Sequence, residues 1–174
     1  MWLVIGIVAI VIVGILVYAS RQPDSFRVER STTISAEPAQ VFDHIISFHR
    51  WADWSPWEHK DPAMRRTISG SDSGVGAVYE WEGNRDVGQG RMEITHTKPG
   101  ELITIKLDFL KPFQAHNIAE FTLSGDQETA VTWAVFGPSP FMSKVMGMFM
   151  NMDKMIGKDF DAGLAKLKSV VEDH

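Results

Sequence analysis

The chain has 174 residues, a formal net charge of −5 and no cysteine. The missing cysteines exclude disulfides, thiolate metal sites and a cysteine nucleophile. Both charge signs are interspersed, without the basic stripe that a nucleic-acid binder needs, so nucleic acid is not an expected partner. About 150 residues remain beyond the first apolar run, room for one domain with a proper core.

Trp2 to Ala19 is an unbroken apolar run with Trp2 and Tyr18 near its ends. As a helix it would reach about 27 Å, close to a ~30 Å hydrocarbon core, and the end aromatics fit an interfacial belt. The expectation is a single-pass transmembrane anchor over residues 1–20, touching the membrane through residues 2–19. A linker, 21–26, and one domain, 27–174, follow. A cleaved secretory signal is the competing reading, and the lack of Lys or Arg before the run argues against it. Arg21, Arg27 and Arg30 follow the run, so the positive-inside rule places the domain in the cytoplasm.

Phe26 to Ser35 alternates and is rich in Val, Thr and Ile, the pattern of a strand. Ser35 and Pro38 then mark a helix start, with Val41, Phe42, Ile45 and Ile46 as its apolar face. Phe48 to Trp57 reads as a second helix or a tight loop. Trp51, Trp54 and Trp57 recur every third residue there, and Ser55-Pro56 discourages helix beyond Trp54. Strands are expected at Arg65–Ser69, Ala77–Trp81, Gly90–Thr97, Leu102–Phe109, Ala115–Leu123 and Thr129–Phe136. The turns between them include Gly83-Asn84, Pro99-Gly100 and Gly125-Asp126. Short turns imply antiparallel pairing. From Ser139 to Val171 apolar residues fall at helical spacing, which predicts one long helix, capped by Ser139, that covers the sheet.

Ile34-Ser35-Ala36, the segment Trp51 to Trp57, the run Gly74 to Trp81 and Lys158-Asp159-Phe160 with Gly163-Leu164 resemble the START-related superfamily, also called SRPBCC or polyketide cyclase/dehydrase-like. The resemblance covers Arg27 to Val171. It implies an α+β helix-grip fold, with a curved antiparallel sheet of about seven strands around a long C-terminal helix. It also implies a cavity between sheet and helix for a small hydrophobic ligand or lipid. The superfamily includes lipid carriers, cyclases, hydrophobic-ligand receptors and chaperone activators, so fold alone does not choose among them.

Strand parity points Tyr79, Trp81, Met92, Ile94, Ile105, Leu107, Phe109, Phe121, Val131, Trp133 and Val135 toward that interior. Asn117 is the best polar candidate among them, and the Tyr79 hydroxyl is a second. The candidate ligand site is therefore Trp54, Trp57, Tyr79, Trp81, Met92, Ile105, Leu107, Phe109, Asn117, Phe121, Trp133, Met146 and Met150. Trp51, Trp54, Trp57 and the Met-rich part of the long helix would form its mouth. Gly147, Gly157 and Gly163 inside the helix leave room either for a ligand or for close packing on the sheet.

No catalytic constellation stands out. His44, His49 and His59 lie near Asp53 and Glu58 without a metal-ligand spacing, and nothing calls for a cofactor. Glu80, Glu82, Arg91 and Glu93 read as a solvated outer face with cross-strand pairing. A shielded Glu80, Glu93 or His116 would favour a cyclase or dehydratase. A filled interior would favour an accessory domain whose work is protein contact.

Overall fold

The computed structural model describes residues 2–147 and 151–173, with side chains from residue 4 onward. The elements are α1 (Trp2–Ser20), β1 (Ser25–Ile34), α2 (Pro38–Ile45), two short 3-10 helices (Phe48–Asp53 and Pro56–His59), β2 (Arg65–Gly70), β3 (Ala77–Glu82), β4 (Gln89–Lys98), β5 (Leu102–Lys111), β6 (Ala115–Gly125), β7 (Thr129–Pro138), α3 (Phe141–Gly147) and α4 (Met152–Glu172). Each expected strand is present within two residues of its predicted ends. The Phe48–Trp57 stretch is two 3-10 helices, because Pro56 starts a new turn after Trp54.

The seven strands form one antiparallel sheet in the order β1-β7-β6-β5-β4-β3-β2. Strands β2 to β7 are a meander joined by short turns. At the Pro99-Gly100 turn Gly100 has φ 70°, a backbone region that glycine enters without steric cost. β1 instead pairs with β7, at the edge opposite β2. The segment between β1 and β2 must therefore cross the whole sheet. That crossing segment contains α2 and the three tryptophans, and it lies with α4 on the apolar face. Register shifts at Gln89/Gly90 and Ile94/His96 are of the kind that bend a sheet.

The apolar parity of the strands holds. Ile94, Ile103, Ile105, Phe121, Val131 and Trp133 are buried under the crossing segment and α4. α4 contributes Phe160, Leu164, Leu167 and Val171 to the same core.

Three expectations are corrected here. The predicted long helix is two helices. α3 is described as far as Gly147, and α4 starts after Asn151, whose extended backbone and side chain, accepting from the Lys154 N–H, make it an N-cap. α3 packs against α1, and Lys144 reaches Asp24 at 2.6 Å. Ser35 does not cap α2. Glu37 holds that position, with the Gln40 side chain accepting from its N–H, while Ser35 donates its own N–H to Glu172.

The third correction concerns the membrane. Among the described residues no helix is long and apolar enough to cross a membrane. α1 runs from Trp2 to Ser20. Its end is also fastened to the domain, with Ala19 wholly buried. The single-pass placement, and the cytoplasmic side inferred from it, are withdrawn.

The helix glycines have distinct reasons. A Cβ at Gly163 would lie 2.8 Å from the Trp133 ring and 2.9 Å from Pro56, so this glycine allows α4 to sit close on the core. A Cβ at Gly157 would meet the Arg30 guanidinium. Arg30 passes from β1 beneath α4 and bonds Asp153 at 3.1 Å and Asp161 at 3.5 Å. Among the described residues none comes within 4 Å of where a Cβ at Gly147 would lie.

Candidate functional site

The apolar face of the sheet divides into two halves along the strands. The half toward α2 is closed. Trp51 and Trp54 are buried there, not at a mouth, because their indole N–H groups donate to the Ile45 and His44 carbonyls at the end of α2. Helix C-terminal carbonyls lack intrahelical donors, so the two indoles satisfy α2 while their rings fill the core. Trp51 meets Trp54 at 4.8 Å, and both meet Phe121 and Trp133 edge-on. Trp133 stacks on Phe160 at 4.2 Å with an interplanar angle of 8°. The volume where sequence reasoning placed a cavity is here filled with aromatic rings.

Trp57 lies at the border of this cluster and is half-buried. It touches Trp133 at 5.5 Å and Phe160 at 6.0 Å, with the Lys60 ammonium 5.9 Å above its ring. The next residue, Glu58, has a side chain only 5% exposed. Its carboxylate accepts from the Tyr79 hydroxyl at 2.5 Å and pairs with Arg66. Burial, and then the Glu58 carboxylate, push the Tyr79 phenol well above its ordinary value. Tyr79 thus fastens the Trp-rich turn to β3, and its hydroxyl is already occupied. Sequence parity had marked Tyr79 as inward but had not supplied this partner. An inward phenol needs one, and an acid beside Trp57 was the available signal.

The half toward the β5–β6 hairpin is open. Met92, Leu107, Phe109 and Phe26 point to the same face as the core residues but are only partly covered. Trp81 closes their inner side, donating its indole N–H to the Val87 carbonyl at 2.9 Å and meeting Phe109 at 5.8 Å. It packs over Gly90, where a Cβ would lie 2.4 Å from its ring. Asn117 sits at the end of this half, half-buried, with its side-chain oxygen against Gly137. It also lines a shallow groove of about 290 Å³ with Lys106, Asp108 and His116. Nearby, Phe113 is 70% exposed and Leu110 44%. On α3, Met142 is 67% and Met146 43% exposed. Met150 lies outside the described residues.

Of the predicted site residues, then, Leu107, Phe109, Met92 and Trp81 are brought together at the open half. Trp54, Tyr79, Ile105, Phe121 and Trp133 are buried in the closed half, and Trp57 stands between the two groups in exposure. A second open groove, about 510 Å³, lies at the start of α4 and is lined by Lys60, Asn151, Lys154, Met155, Ile156, Lys158 and Asp159.

The acids and histidine considered for catalysis are not shielded. Glu80 is exposed, and Arg91 pairs with Glu93 at 2.7 Å on the outer face. His116 is 72% exposed and holds Asp108 at 2.7 Å, with Lys106 at 3.0 Å. Partial burial would raise the Asp108 carboxyl, but the bonds from His116 and Lys106 outweigh it and hold the group below its usual range.

The fold recurs in solved structures of low sequence identity. Protein CV1439 from Chromobacterium violaceum is 17% identical, with a TM-score of 0.59 over 87% of this chain and 99% of that one. The Aha1 dimer from Colwellia psychrerythraea is 16% identical, with a TM-score of 0.55 over 84% of this chain and 96% of that one. DynU16, a protein of the dynemicin biosynthetic locus, is 17% identical, with a TM-score of 0.58 over 87% of this chain and 48% of that one. No curated protein matches the chain. Residues 25–172 match the family described as polyketide cyclase / dehydrase and lipid transport, and the chain belongs to that family.

Proposed function

We propose that this member of the polyketide cyclase / dehydrase and lipid transport family binds a small hydrophobic molecule, a lipid or similar compound, at the open half of its apolar sheet face. The observation that carries the reading is the partial exposure of Met92, Leu107 and Phe109 on a face whose other half is closed. A set of apolar side chains left facing solvent at one end of a core is a place where burial by a ligand gains about 25 cal/mol per Å². Trp81 forms the inner wall, and Asn117 supplies one polar group at the rim, which suits the usual arrangement of an apolar pocket with few polar contacts. The family's description includes lipid transport, which agrees with this chemistry.

A cyclase or dehydratase is the second reading. Glu58 is the observation that favours it, being a shielded carboxylate beside a tyrosine in the interior. Both its oxygens are already engaged, by Tyr79 and Arg66, an arrangement that suits an anchor better than a proton shuttle.

Native mass spectrometry of the gently purified full chain, followed by solvent extraction, tests the binding reading. The expected result is a discrete added mass that extracts as an apolar compound and that is lost in Leu107→Glu. A clean apo mass that persists after fatty acids, phospholipids and aromatic ketones are offered would overturn it.

A further inference from the structure

The exposed apolar side chains of the domain are gathered at one end of the sheet. Pairing of Ser25 with Pro138, Phe109 with Ala115 and Gln89 with Lys111 brings the start of β1, the β5–β6 turn and the β3–β4 turn to that end. α3 begins there too, since the Ser139 N–H donates to the Asp24 carbonyl at 2.7 Å. At this end Phe113 is 70% exposed, Met142 67%, Phe141 45% and Leu110 44%. The β2–β3, β4–β5 and β6–β7 turns lie at the opposite end, and among their described residues they expose one large apolar side chain, Val75. Clustered apolar side chains left in water mark a contact surface more often than scattered ones do.

Charge divides the same way. Arg21, Arg85 and Lys111 are exposed at the apolar end, opposed by Asp86 and by Asp24, which Lys144 holds at 2.6 Å. The opposite end exposes Asp72, Asp126 and Glu128, beside the pairs Lys98–Glu101 and Lys168–Glu172. A chain of net charge −5 therefore keeps basic side chains around its apolar tips and unpaired acids at the far end. A second copy docked by the same end would set those cations against one another, and the acidic end offers charge without an apolar surface. An anionic lipid bilayer supplies both kinds of partner.

We propose that this end of the sheet docks on the surface of an anionic lipid bilayer, with Leu110 and Phe113 of the β5–β6 hairpin dipping into it and Arg21, Arg85 and Lys111 meeting the headgroups. The contact needs no segment that crosses the bilayer, because a surface wedge enters by only about 5–10 Å. Burial of the two apolar side chains holds the domain there, and the basic side chains add an attraction that salt screens. The inference goes beyond the ligand-binding reading by assigning a partner surface. It also sets the open half, lined by Met92, Leu107 and Phe109 at the same end, against a source of lipid.

The test uses the full chain and vesicles of phosphatidylcholine mixed equally with phosphatidylserine, against vesicles of phosphatidylcholine alone. The chain has no cysteine, so Phe113→Cys and Gln127→Cys each take a single polarity-sensitive dye. The dye at 113 is expected to shift to the blue on the mixed vesicles and the dye at 127 to stay unchanged. In flotation the wild type binds the mixed vesicles about tenfold more tightly, or more, than Leu110→Ser/Phe113→Ser. Arg85→Gln/Lys111→Gln weakens binding at low salt and matches the wild type at high salt. All four side chains are exposed, and circular dichroism checks that both variants fold. A wild type that does not float, or a dye at 127 that responds as strongly as the one at 113, would overturn the proposal. Flotation unchanged in Leu110→Ser/Phe113→Ser would assign the contact to α1 and overturn it as well. So would a dimer in ultracentrifugation that this variant abolishes while vesicles are ignored, which would make a second copy the occupant. The two readings fail separately. A wild type that floats but carries no extractable compound keeps the docking and overturns the ligand reading alone, and one that carries a compound but does not float does the reverse.

Discussion

The closed and open halves of the sheet face carry similar side chains on the same strands. On β4, Ile94 is wholly buried while Met92, two residues away on the same face, is partly exposed. On β5, Ile103 and Ile105 are wholly buried, whereas Leu107 and Phe109 are not. The strands do not differ in hydrophobicity across this boundary. What differs is the cover. The crossing segment from β1 to β2 and the C-terminal part of α4 lie over one half, and the aromatic rings of Trp51 and Trp54 complete it. A helix-grip sheet can thus be a packed core at one end and a partly open apolar surface at the other, with a single continuous apolar stripe serving both.

The sharpest way to break this contrast is to truncate one side chain in each half. Trp54→Ala should cost about 3–5 kcal/mol of stability, the range for removing a large buried aromatic. Phe109→Ala should cost less, about 2 kcal/mol, because part of that ring stays in contact with water. Urea titration of both variants decides it, and equal costs would mean that the open half is as well covered as the closed one.

The polar fastening of the Trp-rich turn ranks next. Glu58→Ala leaves the Tyr79 hydroxyl buried without its acceptor, at a cost of about 1–3 kcal/mol. The raised Tyr79 phenol also gives a pH signature. A group whose folded pKa lies above its unfolded value contributes stability that is complete below the ordinary value, here 10.0, and declines as pH rises past it. Unfolding should therefore steepen above about pH 10 in the wild type and less so in Tyr79→Phe, as read by thermal melts in alkaline buffers.

Gly163→Ala and Gly157→Ala compare two kinds of close approach on one helix. The Gly163 site is bounded by Trp133 and Pro56, which cannot move easily, so alanine there should destabilise by about 1–3 kcal/mol despite its better helix propensity. The Gly157 site is bounded by the flexible end of Arg30. The guanidinium can swing aside, and the loss should be smaller, about 1 kcal/mol or less once alanine's propensity is counted. Similar melting temperatures for the two would show that Arg30 is as fixed as the core rings.

A comparably small effect lies on the outer face. Asp108 is held below its usual range, so its contribution is complete above the ordinary value of 3.8 and fades as pH falls through the lowered one. Asp108→Asn should lose about 1 kcal/mol at neutral pH, and its melting temperature should converge with the wild type below about pH 3.

Much of the fold was legible in the sequence because period-2 alternation survives wherever one strand face is buried. Most strands from Ser25 to Pro138 were found on that basis, β2 with no buried residue being placed between its flanking turns instead, and the inward parity of Tyr79, Trp81, Ile105, Phe121 and Trp133 was right. The break at Asn151 was missed because the apolar spacing from Phe141 to Val171 runs through it without interruption, and an Asn reads as an ordinary polar position until its side chain is seen to cap. The roles of Trp51 and Trp54 were missed for another reason. Exposure of a tryptophan depends on what its N–H can reach, and the carbonyls of Ile45 and His44 come within reach only once α2 ends where it does. Gly157 was legible as a compromise in helix propensity, but its neighbour, Arg30, stands more than a hundred residues earlier in the chain.

Local order, strand parity, turn positions and the family resemblance are properties of neighbouring residues, and the amino-acid sequence alone determined them. Which half of the apolar face is filled and which carboxylate is shielded were decided only by the tertiary structure. The physical reason is that β1 and β2 stand at opposite edges of the sheet. The segment joining them must cross that face, and where its side chains come to rest depends on packing between residues that no short-range pattern connects.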